Sequence, residues 1–385
     1  MQVIKFGGDA VVAGQDSLDY IESISCKAAM IVTSGPYAKQ SGQLAQITGR
    51  LEKIGAKHYC FDEVEPNPEF SSILRGAKIA GEFQPDWIIG LGGGSALDAA
   101  KGIWVFYENP QLKDIEMDQL RTPGIIKNLR KKAHLMCIPT TSGTGSETTA
   151  SVVLSDSAKN RKFSFADTRL IPDAALLSPA MTSSMNGALT ANTGMDALTH
   201  AIEAYVSREA TDFTDALAEK AVQMIFRYLP LAYAEPDNLE YRERMQNASC
   251  IAGMAFAAAG LGIVHTIAHA FGGFFHVPHG LANAVTLPYV LNYNKACEEA
   301  DRKYQRLEAL CGFPDLKEAV LKLRKTVNIP ATMKEIIDKD TVFEKEVPGM
   351  LIHAFHDRCT PHNPVSPTEE DMERLMKLVY YGEEK

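Results

Sequence analysis

Residues 86–101 read DWIIGLGGGSALDAAK, and this stretch indicates the fold of the first half of the chain. The apolar run up to Leu91 is typical of a buried strand, and the glycines after it lead into residues with helical spacing. Glycines let a backbone approach a phosphate closely, and the amides at a helix start favour its charge. The stretch therefore predicts a strand, a phosphate-binding loop at residues 92–95 and a helix. Ser95 followed by Asp98 is also consistent with a capping box, and the loop would then be only a capped turn.

A second transition from strand to loop follows at residues 133–147. The apolar run AHLMCI precedes PTTSGTGSE, in which hydroxyl groups and glycines are crowded. Such a polar loop suits a diphosphate and a ribose, although turns rich in serine and threonine are also purely structural. Around both loops, short β-rich runs alternate with helical ones. This alternation predicts an α/β domain with a parallel sheet, helices on both faces, and ligands at the carboxyl ends of the strands.

From about Asn186 onward the pattern changes to long helical segments, with apolar residues three and four positions apart. The change predicts an all-helical C-terminal domain. The segment IPDAALLSP, at residues 171–179 and with two prolines, is the expected connector. We therefore predict a dinucleotide-binding domain over residues 1–180 and a helical metal-binding domain over residues 181–385.

Four side chains of the second half form a ligand set for a divalent metal ion. Asp196 and His200 are four residues apart and share one face of a helix, and a second segment supplies His265 and His279. One carboxylate and three imidazoles suit iron or zinc. His269, four residues after His265, could replace one of the four. Each residue alone is also consistent with a helix cap or a core histidine, but the set as a whole favours a metal site.

The composition points to a small ligand. A net charge of −9 and a pI near 5.6 argue against nucleic acid and anionic membranes as partners, because both require a basic surface. The seven cysteines include no CxxC pair, which is typical of reduced thiols in the cytosol. The sequence has neither a signal-peptide pattern nor an apolar run of about 18 residues. We therefore expect a cytoplasmic protein without a membrane partner.

These motifs occur in the order found in one family, and the chain resembles the iron-activated (group III) alcohol dehydrogenases. The resemblance covers nearly the whole chain and is carried by IVTSGPYAKQSG, VEPNP, GLGGGSALDAAK, IPTTSGTGSET, TGMDALTHAIEAYVS, HTIAHAFGGFFHVPHG and DRCTPHNPVSPTEED. It implies a dinucleotide-binding α/β domain, a helical C-terminal domain, an active site in the cleft, and assembly as a homodimer or larger homo-oligomer.

The resemblance also implies roles for individual residues. The metal ligands would be Asp196, His200, His265 and His279, and His269 would lie near the substrate. Pyrophosphate-binding positions would be Gly93, Gly94 and Ser95, the nicotinamide half would be lined by Thr140, Thr141, Thr149, Lys162 and Leu177, and Asn67 would lie beside the adenosine. Many relatives have an aspartate where this chain has Ser34. That aspartate repels a 2′-phosphate, so its absence predicts that NADP(H) is accepted as well as NAD(H).

The predicted function is reversible hydride transfer between NAD(P)H and a small aldehyde or its primary alcohol at an Fe²⁺ site, with Zn²⁺ as a substitute metal. The metal would act as a Lewis acid, and His269 or a relay through water and a ribose hydroxyl would move the proton.

Two alternative enzymes share this architecture, namely a zinc-dependent polyol (glycerol-type) dehydrogenase and a dehydroquinate synthase-like lyase. A fourth protein ligand at His279 and the TTSGTGSE loop count against both. A catalytically silent nucleotide-binding protein is an alternative of another class, and the complete ligand set argues against it.

Overall fold

The structure is a computed structural model that describes residues 5–156 and 161–382, without the side chains of residues 156, 161 and 162. The chain folds into two compact units, Met1–Ser184 and Met185–Lys385.

Within the described residues, the first unit contains a six-stranded sheet and a separate two-stranded hairpin. The strands are β1 (Ala10–Ala13), β2 (Ala28–Val32), β3 (Lys57–Phe61), β4 (Trp87–Gly92), β5 (His134–Pro139), β6 (Ser151–Asp156), β7 (Arg161–Ala166) and β8 (Ala174–Leu177). The sheet has the order β1-β8-β5-β4-β2-β3 and its pairs are parallel, whereas β6 and β7 pair antiparallel.

Helices cover both faces of this sheet. They are α1 (Tyr37–Gln40), α2 (Gln43–Lys53), α3 (Phe70–Phe83), α4 (Gly94–Glu108) and α5 (Pro179–Thr182). Successive residues of a strand point to opposite faces, so Met30 and Val32 pack in one core with α3 and α4, while Ile31 packs in a second core with α2. The predicted α/β domain with a parallel sheet is thereby confirmed.

The sheet order creates a crevice where β2 and β4 lie side by side. The chain leaves β2 toward β3 on one side and leaves β4 toward β5 on the other. In parallel sheets, ligands bind at such a switch point, outside the carboxyl ends of the strands. The loops after β2 and β4 therefore border the expected nucleotide site.

The expected connector at residues 171–179 is instead part of the sheet. Its central residues form β8, a buried strand between β1 and β5. Pro172 and Pro179 stand outside the strand, where their missing amides remove no ladder hydrogen bond. A division after residue 180 falls within α5.

The second unit is built from helices over the residues that the structure describes, as the helical spacing predicted. They are α6 (Gly187–Val206), α7 (Asp212–Ala234), α8 (Leu239–Ala259), α9 (Ile263–Phe275), α10 (His279–Asn294), α11 (Glu298–Cys311), α12 (Leu316–Thr326), α13 (Lys334–Ile337), α14 (Asp340–Phe355) and α15 (Glu369–Tyr381). α6 lies at the centre and contacts α7, α8 and α10. Among the described helices none is long and apolar enough to cross a membrane alone; α8 and α9 pass that test only together, bent by 103°.

A glycine allows α10 to approach α6 closely. A β-carbon at Gly280 would lie 2.3 Å from the carbonyl oxygen of Asn192 and 3.2 Å from the β-carbon of Asp196. Real β-carbons do not approach a backbone atom so closely, so only glycine fits here without a shift. This contact fixes the start of α10, and with it His279, next to the face of α6 that carries Asp196.

Candidate functional site

Three helices bring the four predicted metal ligands together. Asp196 and His200 lie one turn apart on α6, and both are buried. His265 is in the first turn of α9, and His279 is the first residue of α10. Each residue offers one ligand atom, and these atoms all lie within 4.8 Å of one another.

The carboxylate of Asp196 faces all three imidazoles. Its Oδ1 atom lies 3.9 Å from Nε2 of His200, 3.9 Å from Nε2 of His265 and 3.5 Å from Nε2 of His279. The rings of His200 and His265 are stacked, with centroids 4.7 Å apart. The donors thus converge from a carboxylate and three ring nitrogens.

Asn283, which the sequence analysis missed, marks the point on which these donors converge. Its Nδ2 group donates to Oδ1 of Asp196 at 2.7 Å and lies 3.1 Å from Nε2 of His265 and 3.2 Å from Nε2 of His279. Asn283 follows His279 by one turn of α10, so the i,i+4 spacing was the signal that could have found it.

Glu203 is a second missed residue, and it orients His265. Its Oε2 atom is 2.5 Å from Nδ1 of His265, and its Oε1 atom accepts a hydrogen bond from the Val264 amide. A carboxylate on Nδ1 fixes the tautomer and leaves Nε2 as the free lone pair, the arrangement seen around metal-bound histidines. Burial raises the pKa of Glu203 to about 7 and lowers that of His265, which favours a neutral ring.

His269 lies beside the group of four, and a carboxylate holds it as well. Its ring stacks on that of His279 with centroids 5.2 Å apart, and its Nδ1 atom is 2.7 Å from Oδ2 of Asp357. Burial opposes ionisation of Asp357, but the adjacent His269 and the amide of Cys359 hold its pKa below the ordinary value. His269, Asp357 and Cys359 form a second group of donor atoms within 4.8 Å of one another. Asp357 is distant in sequence, and no local pattern indicated its role.

In the first unit, the glycine loop joins β4 directly to α4. Gly93 precedes the helix, and no side chain caps the helix start; Ser95 instead donates to the carbonyl oxygen of Pro66. The capping box suggested by Ser95 and Asp98 is therefore wrong. The free amides at this helix start are suited to an anion.

The loop after β5 lies against the glycine loop. A β-carbon at Gly94 would be 3.0 Å from Cγ2 of Thr144, and one at Gly93 would be 3.3 Å from Cγ2 of Thr141. The two loops identified in the sequence therefore form one continuous polar surface at the carboxyl edge of the sheet.

The remaining predicted nucleotide residues lie along the first unit as follows. Ser34 follows β2 and pairs with Glu63 through a β-bridge; Asn67 is exposed after β3; Thr140 follows β5; Thr149 is buried just before β6; Leu177 ends β8 and is buried; Lys162 is in β7, with its side chain outside the described residues. The positions after β2 and β3 lie on one side of the glycine loop, and those after β5 and β8 lie on the other.

Comparisons with known proteins cover both units. Residues 8–179 match the family model described as iron-containing alcohol dehydrogenase, and residues 190–380 match the model of the C-terminal part of the Fe-containing alcohol dehydrogenase family. The chain is 40% identical over 378 residues to the NADPH-dependent butanol dehydrogenase of Clostridium saccharobutylicum, covering 96% of each chain. It is 38% identical to a 1-propanol dehydrogenase of Citrobacter freundii, covering 95% of this chain and 96% of the relative. Among solved structures, the iron-containing alcohol dehydrogenase of Thermococcus thioreducens superposes with a TM-score of 0.91 at 31% identity, covering 99% of this chain and 100% of that one.

Proposed function

Since the chain belongs to the iron-containing alcohol dehydrogenase family, we propose that it interconverts a small aldehyde and its primary alcohol by hydride transfer with NAD(P)H. The observation that carries this proposal is the convergence of Asp196, His200, His265 and His279 within 4.8 Å of one another. These residues are the proposed metal ligands.

The donor set fits divalent iron. One carboxylate and three neutral imidazoles suit Fe²⁺ and also accept Zn²⁺. Glu203 keeps Nε2 of His265 directed toward the other donors, and Asn283 donates to the carboxylate of Asp196. Glu203 would therefore act on a bound metal through His265, whose ring it orients from Nδ1.

When bound, iron would supply Lewis acidity that polarises a carbonyl, and the nicotinamide ring would supply or accept the hydride. The protein must also move one proton. His269 is our candidate, because Asp357 accepts at Nδ1 and leaves Nε2 to exchange a proton with the alcohol oxygen. The carboxylate also fixes the orientation of the ring beside His279.

We assign the cofactor to the polar surface of the first unit. The amides at Gly93, Gly94 and Ser95 would bind the diphosphate, with the adenosine toward Ser34 and Asn67. The nicotinamide would then lie on the side of Thr140, Thr141, Thr149, Lys162 and Leu177. The absence of a carboxylate at Ser34 and the similarity to an NADPH-dependent butanol dehydrogenase support the use of NADP(H).

The substrate class follows from the relatives. Both curated relatives described above are named for short primary alcohols, butanol and 1-propanol, and we propose a substrate of similar size. The glycerol-type and dehydroquinate synthase-like alternatives are less consistent with this similarity, which extends along nearly the whole of both relatives.

The proposal is tested with protein loaded anaerobically with Fe²⁺ and assayed on alcohols, diols and aldehydes of one to six carbons with each nicotinamide cofactor. We expect metal-dependent reduction of short aldehydes, abolished by a chelator. If zinc-loaded protein oxidised glycerol and none of the other compounds, the result would support the polyol alternative. Iron-loaded protein that turns over none of these compounds with either cofactor would refute the proposal.

A further inference from the structure

Lys101 is a fully buried lysine on α4 that has no part in the function proposed above. Its Nζ atom is surrounded by four oxygen atoms of a single segment. They are Oγ of Ser146 at 3.0 Å, the carbonyl oxygen of Thr149 at 2.9 Å, Oγ1 of Thr149 at 3.3 Å and the carbonyl oxygen of Ser151 at 3.1 Å. Burying an ammonium group is unfavourable unless hydrogen bonds and an opposite charge compensate it. The segment is therefore arranged around this charge.

Asp98, one turn earlier on the same helix, completes the arrangement. Its Oδ1 atom accepts from Oγ of Ser146 at 2.6 Å, and its Oδ2 atom accepts from the amide of Val153 at 3.0 Å. Burial raises the pKa of Asp98 and lowers that of Lys101, while their mutual attraction opposes both shifts. Asp98 and Lys101 thus attach residues 146–153 to the helix that begins at the glycine loop.

The sheet order indicates which part of the cofactor this segment faces. With the diphosphate at the glycine loop after β4 and the adenosine toward β2 and β3, the nicotinamide must lie toward β5 and β8. The short turn at Ser146–Thr148, which ends immediately before Thr149, contacts both β5 and β8. Thr149 therefore belongs to the nicotinamide side.

The hydrogen bonds of Lys101 also determine whether the Thr149 hydroxyl acts as a donor or an acceptor toward a ligand. Lysine only donates, so both oxygens of Thr149 accept from Nζ. A threonine hydroxyl that accepts still has its own proton to donate. The carboxamide oxygen of nicotinamide is an acceptor that such a donor suits.

We infer that Lys101, together with Asp98, is a positioning residue for the nicotinamide end of the cofactor, holding Thr149 so that its hydroxyl donates to the carboxamide oxygen. The inference depends on the proposed function, because it requires a bound nicotinamide nucleotide.

The test compares two ligands in the full-length protein: the cofactor that the wild type binds more tightly, NADH or NADPH, and the ADP-ribose fragment with the matching 2′-substituent. The fragment lacks the nicotinamide. We expect Lys101→Met to weaken cofactor binding by about tenfold or more, since the lost contacts involve a charged donor, and to leave the affinity for the fragment nearly unchanged. Thr149→Val should show the same selectivity. The double variant should bind the cofactor about as weakly as either single variant, because the two substitutions remove the same interaction.

Glu108→Gln provides the matched control. Glu108 is buried on the same helix, but its Oε1 atom accepts from the amides of Lys131, Lys132 and Ala133 at the opposite end. We expect it to lower thermal stability and to leave the ratio of the two affinities as in the wild type.

Four results would contradict the inference or the proposed function. Equal loss of cofactor and fragment affinity in Lys101→Met, or loss of neither, would overturn the inference. If Lys101→Met does not fold, Thr149→Val decides alone, and wild-type cofactor affinity in that variant would overturn the inference. A wild-type protein that binds neither cofactor would refute the proposed function itself.

Discussion

His265, one of the proposed metal ligands, illustrates at the scale of one residue how contacts can prepare a side chain for a metal. Burial lowers its pKa, and Glu203 holds Nδ1, so that a neutral ring presents Nε2 to Asp196. Neutral imidazole is the form that binds metals. The contacts of the ring, and not only its position, therefore set the protonation state and the tautomer that a metal requires.

We predict that His265→Ala or His279→Ala lowers both bound metal and turnover, because three donors hold the ion less tightly than four. Metal analysis and aldehyde reduction by the purified variants measure this. His134→Ala, at a half-exposed histidine of the first unit, is the control and should keep its metal. Full occupancy and normal turnover in both variants would refute the ligand assignment. The same result in only one would indicate that His269 replaces the missing ligand.

We propose that cofactor preference also depends on one position, Ser34. Ser34→Asp should shift the ratio of kcat/KM values toward NAD by at least roughly tenfold, equivalent to about 1.4 kcal/mol, because the new carboxylate repels a 2′-phosphate. Ser23→Asp introduces the same charge before β2, at the opposite edge of the sheet, and should leave the ratio unchanged. A wild-type enzyme that already excludes NADPH would show that selectivity is set elsewhere in the adenosine pocket.

The approach of Asp196 and His200 to one another could be predicted from the sequence because their spacing is local and they share one face of a helix. Asp357 could not, because a carboxylate acquires its role from His269, which is far from it in the sequence. The roles of Glu203 and Asn283 could be predicted only in part. Each lies one turn from a proposed ligand on the same helix, but only the packing of α6, α9 and α10 shows which group each one contacts.

At the scale of elements, the contact between α6 and α10 controls the position of His279. We predict that Gly280→Ala lowers metal affinity although all four ligands remain, because the added methyl group cannot fit 2.3 Å from the Asn192 carbonyl oxygen and must push α10 outward. Gly273→Ala is the matched control, since a β-carbon there meets no atom within 4 Å. It should keep its metal and be equally or more stable, by up to about 1 kcal/mol, because alanine is the better helix former. Equal metal affinity in both variants would contradict this role for Gly280.

The junction of β4 and α4 gives a second prediction at this scale. Gly94→Val should abolish cofactor binding and leave the metal content intact, because its branched side chain would meet Thr144 and cover the amides at the helix start. Calorimetric titration with the cofactor measures the loss. Gly81→Val, on α3 with open space around it, should bind normally. Unchanged affinity in Gly94→Val would mean that the glycine loop is only a turn.

Elements of strong periodicity could be predicted well, and elements defined by their partners could not. One of the helical runs between the β-rich ones, FSSILRGAKIAGEF at residues 70–83, forms α3 over its whole length. The segment at residues 171–179 contains a strand and is not the predicted connector, because prolines occur both in turns and beside strands and only pairing with β1 and β5 identifies β8. The hairpin of β6 and β7 was also not predicted, because only the pairing of the two strands with each other identifies it.

At the scale of the whole molecule, the two ligand classes should stabilise different parts of the chain. Metal removal by a chelator should speed hydrogen exchange in α6, α9 and α10, because the proposed ligands join these three helices. At about 100 times the dissociation constant, a ligand contributes about 2.7 kcal/mol. Adding cofactor should instead slow exchange in the loops after β4 and β5. Unchanged exchange in all three helices on metal removal would contradict the proposed site.

The position of β8 has a consequence for how the protein is made. β1 comes first along the chain, yet its only neighbour in the described sheet is β8, which is completed at Leu177. Until the ribosome has synthesised β8, β1 has no partner strand and one edge of β5 is unpaired. Unpaired edges of apolar strands can pair with other chains and so promote aggregation. We expect nascent chains that stall before residue 174 to aggregate, and chains released beyond Ser184 to remain dispersed.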